Sequence, residues 1–494
     1  MNFPLLSLIV FLPAAGALVL LFLRDDNAVR WTALAVALVD FVLCIALLIS
    51  FDTTTYEMQF TETRTWIPAL GIKFALGVDG ISALFVFLTA LLGWICVLAS
   101  WVAIQTKVKE FMIALLVMQS LMLGVFCALD LFLFYVFWEA MLIPMYVIIG
   151  VWGGSGRIYA AFKFFLFTLA GSVLFLIGVI VLYFQGGETF DIVVLMAQDY
   201  PIAVQSWLFF AFLIAFAVKV PMVPVHTWLP DAHVQAPTAG SIILAGVLLK
   251  MGAYGFLRFS LPMLPQATVQ YSTLMLVLSA VAIIYGGLLA LAQDDLKKLV
   301  AYSSISHMGF VTLGIFSLNL RGIEGGILQM FNHGVTTGAL FLLVGLIYER
   351  THTRSIADYG GLMKAAPVFT IFLALFVLSS MALPGTNSFV GELLILAGAF
   401  GANMAVGAAA IVGALLAAAY LLGMFRRVAL GPASVGLRHK IWDLDRRELA
   451  AIVPLAVFVF WVGLYPKPFL NIIHVSVQHL LVQVHGDETE AVRQ

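Results

Sequence analysis

The stretch FLIAFAVKVPMVPVHTWLP, Phe212 to Pro230, decides how this chain is read. An apolar run holds one lysine, Lys219, and then breaks at Pro221 and Pro224 before His226, Trp228 and Pro230. A lysine at the centre of a membrane helix costs roughly 2.5–3.5 kcal/mol even on lenient scales, so such a residue points to function. The prolines remove backbone donors and stop the helix beside the charge. Irregular backbone at membrane depth is tolerated only inside protein or beside water. The stretch therefore predicts a buried ion-handling site on a discontinuous helix, as in many transporters. The alternative is a lysine near a helix end that snorkels to the interface.

Outward from this stretch the composition agrees. Of 494 residues, 63% are hydrophobic and 10% charged, against about a quarter charged in soluble domains. Apolar runs near 20 residues long specify helices rather than a barrel. The expected fold is an all-α integral membrane protein lying in the lipid bilayer. With a net charge of −1 there is no basic field for nucleic acid. Cys44, Cys96 and Cys127 stand far apart in apolar runs, which suits packing rather than metal binding. The run from Phe3 to Leu23 lacks a basic leader and reads as a first span.

The apolar pattern predicts fourteen spans, near 3–23, 30–50, 79–101, 111–129, 130–149, 162–184, 206–228, 239–259, 272–292, 298–317, 324–348, 367–400, 403–425 and 450–467. The twelfth is long for one crossing and contains Pro384-Gly385, so it reads as a second broken helix. Loops on one side hold seventeen of the 25 basic residues, among them Arg24, Lys107, Arg157, Lys297, Arg350, Arg438 and Lys440. Six, including Arg64, Arg258, Arg321 and Arg493, fall on the other side. The basic side is expected to be cytoplasmic, with both termini periplasmic. Broken helices seven and twelve lie five spans apart. An odd period inverts the second copy, which suggests two inverted five-helix repeats. The chain then divides into 1–110 (helices 1–3), 111–260 (helices 4–8), 272–428 (helices 9–13) and 449–494 (helix 14 and a tail), all within one domain, 1–494.

Further ionisable residues fall inside spans. Glu139, in LFLFYVFWEAMLIPMY, has no cation within its own helix, so it pairs across helices or stays protonated; Lys219 is its natural partner. Lys250 is a third mid-span charge, with Gly252 and Gly255 leaving room for another backbone or for water. His307 and His333 sit at matched depth in spans ten and eleven, beside Ser303, Ser304 and Ser306 and beside Asn332, Thr336 and Thr337. A neutral imidazole both donates and accepts, as a relay requires. Glu392 is the charge of the second broken helix. Each also has a purely structural reading: a snorkelling lysine, a hydrogen-bonded histidine, a buried protonated glutamate. Together Glu139, Lys219, Lys250, His307, His333 and Glu392 are read as a water-linked chain across the membrane plane. The run Gly153-Gly154-Ser155-Gly156 follows no strand, so a phosphate loop is not expected. Asp231 and His233 read as a polar cap rather than a metal site, and Asp294, Asp295, Lys297 and Lys298 as a capping turn.

Four motifs carry a family resemblance: EAMLIPMY at 139–146, KVPMVPVHTWLPDAHVQAPTAGS at 219–241, QDDLKKLVAYSSISHMG at 293–309 and NHGVTTGALFLLVGLIYERTHTR at 332–354. The chain resembles the antiporter-like subunits of proton-pumping NADH–quinone oxidoreductase, respiratory complex I, over nearly its whole length. Within them it looks like the M type, because Glu392 stands where the L and N types have lysine. The resemblance implies that Glu139 pairs with Lys219, that Lys250, His307 and His333 form a hydrated axis, and that Glu392 lies at its far end. It implies a bacterial inner membrane, neighbouring L and N subunits, and protons as cargo. It implies no cofactor here, since NADH, flavin, iron–sulfur clusters and quinone belong to partner subunits. Two other readings remain open: a subunit of a multi-subunit sodium/proton antiporter or membrane-bound hydrogenase, and a structural membrane spacer that conducts nothing.

Overall fold

A computed structural model describes residues 4–432 and 442–486. The loop residues Arg438 and Lys440, and Arg493 near the end, lie outside the described residues. The chain is a multi-pass helical membrane protein. Among the described residues twelve helices are long and apolar enough to cross a bilayer, and three shorter apolar helices accompany them.

Helices α1 (Leu5–Leu20) and α2 (Asp26–Ile49) open the chain. An antiparallel hairpin follows, β1 (Gln59–Ile67) and β2 (Ile72–Val78), turning at Gly71 with φ +65°. The sequence reading did not anticipate this hairpin. Its strands are short, and β1 is largely exposed, so no strong apolar alternation marks it. Next come α3 (Gly80–Ala103), α4 (Val108–Cys127), α5 (Leu131–Ala140), α6 (Leu142–Trp152), α7 (Arg157–Gln185), the short α8 (Ile192–Met196) and α9 (Ile202–Lys219). Asp130 caps α5, its carboxylate accepting from the amides of Phe132 and Leu133 at 3.0 Å each and from the Lys73 amide of the hairpin at 2.9 Å.

The predicted break falls where the prolines put it. α9 ends at Lys219, and α10 (Trp228–Gln235) resumes after an irregular segment. The Trp228 indole donates to the Val218 carbonyl at 2.9 Å, which satisfies an acceptor that the broken helix leaves free. α11 (Thr238–Met263) is one long span containing two π-helical stretches, Leu244–Leu248 and Phe256–Ser260, on either side of Lys250. Such widened turns are frequent at functional sites.

α12 (Pro265–Leu291), α13 (Leu296–Phe316) and α14 (Leu320–Thr351) continue the bundle. The second break separates α15 (Pro367–Ser380) from α16 (Asn387–Ala402), with Gly385 at φ +91°. α17 (Met404–Ala429) and α18 (Arg446–Leu464) complete the spans. The stretch expected as a tail is largely helix: α19 (Lys467–His485) buries Phe469, Ile473, Val477, Leu480 and Val484 against α3 and α14. The whole apolar windows of α11 and α14 are buried, whereas most of that of α2 faces outward. The two helices that carry Lys250 and His333 thus form the middle of the molecule.

Candidate functional site

Five of the six predicted residues are deeply buried. Lys219, Lys250, His307, His333 and Glu392 are all less than 5% exposed. Glu139 is only partly buried as a residue, although both carboxylate oxygens are enclosed. An ammonium or carboxylate in such surroundings requires a partner.

Four of the six meet in a line. The Lys250 Nζ lies 2.6 Å from the His333 Nδ1, and it also donates to the Ala245 carbonyl in the preceding π stretch. The His333 and His307 ring centres are 5.8 Å apart. The His307 Nδ1 is 3.4 Å from the Glu392 Oε1, close enough to pair but without a hydrogen bond's geometry. The Glu392 Oε1 accepts from the Gln329 Nε2 at 3.1 Å. The line runs from α11 through α14 and α13 to α16.

The second break completes it. Ser380, the last residue of α15, places its Oγ 3.1 Å from the His307 Nε2. Its neighbour Ser379 donates to the Asn387 Oδ1 at 2.6 Å, and Thr336 lies 3.0 Å from the Ser379 Oγ. The broken helix thus wraps polar groups around the glutamate end of the line. The serines expected beside His307 behave differently. Ser303 and Ser304 donate to the Val300 carbonyl, and Ser306 to the Ile283 carbonyl. Hydroxyls inside a helix readily turn back onto backbone carbonyls, so sequence proximity misplaced them.

Glu139 and Lys219 stand apart from that line, and their expected direct pair is not formed. No contact within 4.0 Å joins them among the described residues, and the Glu139 oxygens and the Lys219 Nζ have no hydrogen-bond partner. The ammonium instead faces the Trp138 ring, 4.5 Å from its centre, and Trp138 is fixed by its indole donating to the Ser172 Oγ at 3.0 Å. A cation over an indole face is attracted by the ring quadrupole, which holds Lys219 beside Glu139 without closing the pair. The link toward Lys250 is steric. A Cβ at Gly252 would lie 2.8 Å from the Phe216 carbonyl oxygen and 2.9 Å from the Lys219 Cβ, so only glycine lets α11 pack this closely on the end of α9. Gly255 meets the Phe216 ring in the same way.

Some residues escaped the sequence reading. Asp40, fully buried in α2, accepts from the Gln119 Nε2 at 2.5 Å. An acid inside WTALAVALVDFVLCIALLI carried the same signal as Glu139 and could have been found. Asp79 and Arg258 form a buried ion pair at 2.6 Å, and the Arg258 Nε donates to the Tyr254 hydroxyl at 3.0 Å. Both lie near span ends, where charge is ordinary. Asp231 pairs with Lys163 at 2.6 Å. The capping turn holds as expected, with the Asp295 carboxylate accepting from the amides of Lys297 and Lys298. The glycine run at 153–156 is tied to Gln235, whose side-chain oxygen accepts from the Gly156 amide. Among the described residues no cluster of three His, Cys, Asp or Glu is set to hold a metal.

Residues 128–417 match a family model described as "NADH:quinone oxidoreductase/Mrp antiporter, TM". The chain is 51% identical to the NADH-quinone oxidoreductase subunit M of Rhodobacter capsulatus, over 98% of this chain and 97% of that one. In fold it is similar to a chain of respiratory complex I from Thermus thermophilus, at 33% identity and a TM-score of 0.90, covering 97% of this chain and 100% of that one. A chain of the Mrp complex from a Dietzia species shares the fold, with a TM-score of 0.84 at 22% identity, over 98% of this chain and 52% of that one.

Proposed function

The chain belongs to the NADH:quinone oxidoreductase/Mrp antiporter transmembrane family, and from that premise we propose that it is a proton-translocating membrane subunit of an NADH–quinone oxidoreductase. The observation that carries this reading is the buried line Lys250–His333–His307–Glu392. Each member carries a group that can hold or give up a proton, and among the described residues no cluster of three His, Cys, Asp or Glu is set to hold a metal. The line is a path for a charge, not a pocket for a molecule.

In this reading Lys219 stores a proton and Glu139 sets how tightly. Closing the two groups to about 4 Å, at an effective dielectric near 20, is worth roughly 4 kcal/mol. Moving one charge against about 200 mV costs roughly 4.6 kcal/mol. The quantities are comparable, so opening and closing this pair is a stroke large enough to drive a proton against the field. A surface ion pair, at about 0–1 kcal/mol, is too weak. The open arrangement over Trp138 is then one end of the stroke. We place electron transfer, with NADH, flavin, iron–sulfur clusters and quinone, in partner subunits. Neighbouring antiporter-like L- and N-type subunits would flank this one in a bacterial inner membrane. The basic loops would face the cytoplasm and both termini the periplasm. Residues 111–260 and 272–428, each with one broken helix, would be the inverted repeats.

The test is NADH-driven acidification in vesicles bearing the assembled complex. Lys219→Ala and Glu139→Ala are each expected to abolish pumping through this subunit while the complex still assembles. Normal pumping in either variant would remove Lys219 and Glu139 from the path. NADH-driven sodium uptake unaffected by a protonophore would favour the sodium antiporter reading. Tolerance of apolar replacements along the whole line would favour a passive spacer.

A further inference from the structure

At the end of the bundle away from the basic loops, an apolar slot of about 340 Å³ lies between α2, α3, α18 and α19. α2 supplies Phe41, Ile45, Leu48 and Ile49, so one face of its last turns forms a wall. The facing wall comes from the first turns of α3, at Leu84 and Phe87, and the last turns of α18, at Phe458 and Trp461. α19 lies across that end and closes it with Pro468, Phe469 and Ile472; its Ser476 hydroxyl accepts from the Gly80 amide at the start of α3 at 3.1 Å. Among these lining residues only Trp461 carries a polar side-chain atom. An ordered water needs several polar partners, so the slot is built for hydrocarbon.

Its length fits one leaflet. Phe41 to Ile49 spans about 12 Å of helix, against roughly 15 Å for half of a bilayer's ~30 Å hydrocarbon core. It opens sideways, since Ile49 and Trp461 at its rim are 80% and 46% exposed. Interlocked rings hold the walls apart. Phe41 meets Phe87 at 5.4 Å between centres, Phe87 meets Phe458 at 5.6 Å, and Trp461 meets Phe469 at 5.3 Å. Walls held apart lose dispersion contacts unless something apolar stands between them. At this depth of a bilayer the apolar material is acyl chain. Behind the slot, Phe87, Phe458 and Phe469 pack on the buried Phe331, at 6.5, 5.8 and 5.5 Å. Phe331 is two residues from His333, so whatever fills the slot backs the helix that carries the line. At the mouth, Lys467 is exposed beside Pro468 as the first residue of α19. Exposed Tyr465 and Trp461 precede it, residue types that favour the membrane interface. An ammonium at that level complements a lipid phosphate.

We propose that this slot binds one acyl chain of a phospholipid from the leaflet away from the basic face, with the lipid phosphate at Lys467. The site needs only that the chain spans a bilayer, so it stands or falls apart from the proton line.

The test uses the intact complex in vesicles that contain a phosphatidylethanolamine with a photoactivatable diazirine in one acyl chain. The complex is extracted into detergent, washed and only then illuminated, so that loosely held lipid is gone, and adducts are mapped by mass spectrometry. Adducts are expected on Ile45, Leu48 and Ile472, and not on Leu415, an exposed residue of α17 outside the slot. No adducts in the slot, or as many on Leu415, would overturn the site and leave ordinary surrounding lipid. Leu48→Trp fills the slot and should cut slot adducts by about tenfold or more, the scale on which overpacking weakens a site, with assembly checked on native gels. Lys467→Gln changes an exposed side chain and leaves the walls intact. It should lower retention severalfold, and unchanged retention would overturn the phosphate assignment. Loss of the adducts on adding a long-chain quinone, but not on adding unlabelled phosphatidylethanolamine, would overturn the phospholipid in favour of an isoprenoid tail.

Discussion

The Nζ of Lys250 faces the Nδ1 of His333 at 2.6 Å. An ammonium has donors only, so with Lys250 charged the His333 Nδ1 is the acceptor and its proton sits on Nε2. Nε2 has no other partner. A proton passed from Lys250 onto Nδ1 therefore leaves an Nε2 proton free to move on toward His307. Replacing His333 by Asn keeps one polar group but removes the second nitrogen. His333→Asn and Lys250→Ala should each cut NADH-driven acidification by roughly the 10²–10⁴-fold typical of losing a positioned proton-transfer group. Vesicle pumping assays normalised to assembled complex would measure this.

Glu392 ends the line, held by Gln329 at 3.1 Å and facing His307 at 3.4 Å. Glu392→Gln preserves shape but removes both the carboxylate and its ability to exchange a proton. The variant should assemble with normal helix packing and lose most pumping, whereas Glu392→Asp should retain part of it. Equal activity in Gln and Asp variants would show that shape, not proton exchange, matters at this position.

Gly252 is where α11 meets the end of α9. Gly252→Ala places a methyl 2.8 Å from the Phe216 carbonyl oxygen and 2.9 Å from the Lys219 Cβ. Overpacking of this kind costs about 1–3 kcal/mol. The expected outcome is a lower thermal midpoint of the purified complex, with pumping impaired more than stability, because the shift separates Lys219 from Lys250. Differential scanning calorimetry beside the pumping assay would separate the two effects.

Arg258 and Asp79 form a pair at 2.6 Å, each about 5% exposed. Removing one partner strands a buried charge and should cost about 3–5 kcal/mol, whereas replacing both by apolar groups is often near neutral. Arg258→Leu should thus melt well below the parent, and Asp79→Leu with Arg258→Leu should recover most of the loss. If the double variant is no better than the single, the Tyr254 contact at 3.0 Å carries the stability instead.

Much of this was legible without coordinates. Lys219, Glu139, Lys250 and Glu392 announced themselves as charges in apolar runs, and prolines or Pro384-Gly385 marked both breaks. The hairpin at 59–78 was not legible because an exposed strand has no core-facing alternation. His233 is completely buried and stacks on Phe341, and it was misjudged because histidine next to Asp231 and a helix break resembles an ordinary cap. The serines near His307 were misassigned: Ser303 and Ser304 turn back onto their own helix, and Ser306 donates to the Ile283 carbonyl of α12. Ser380 and Gln329, which do reach His307 and Glu392, are remote in sequence from the groups they serve.

The sequence by itself determined which side chains had to be sheltered from lipid, because a charge or imidazole surrounded by apolar residues has only that remedy. It also marked the two helix breaks, at Pro221 and Pro224 and at Pro384-Gly385, since proline cannot supply the missing donor. Only the tertiary structure decided which sheltered groups touch: Lys250 meets His333, and His307 faces Glu392, while the Lys219 ammonium lies over the Trp138 ring and forms no direct pair with Glu139. Those meetings depend on how closely whole helices approach, and glycines such as Gly252 set that distance through contacts with residues far away along the chain.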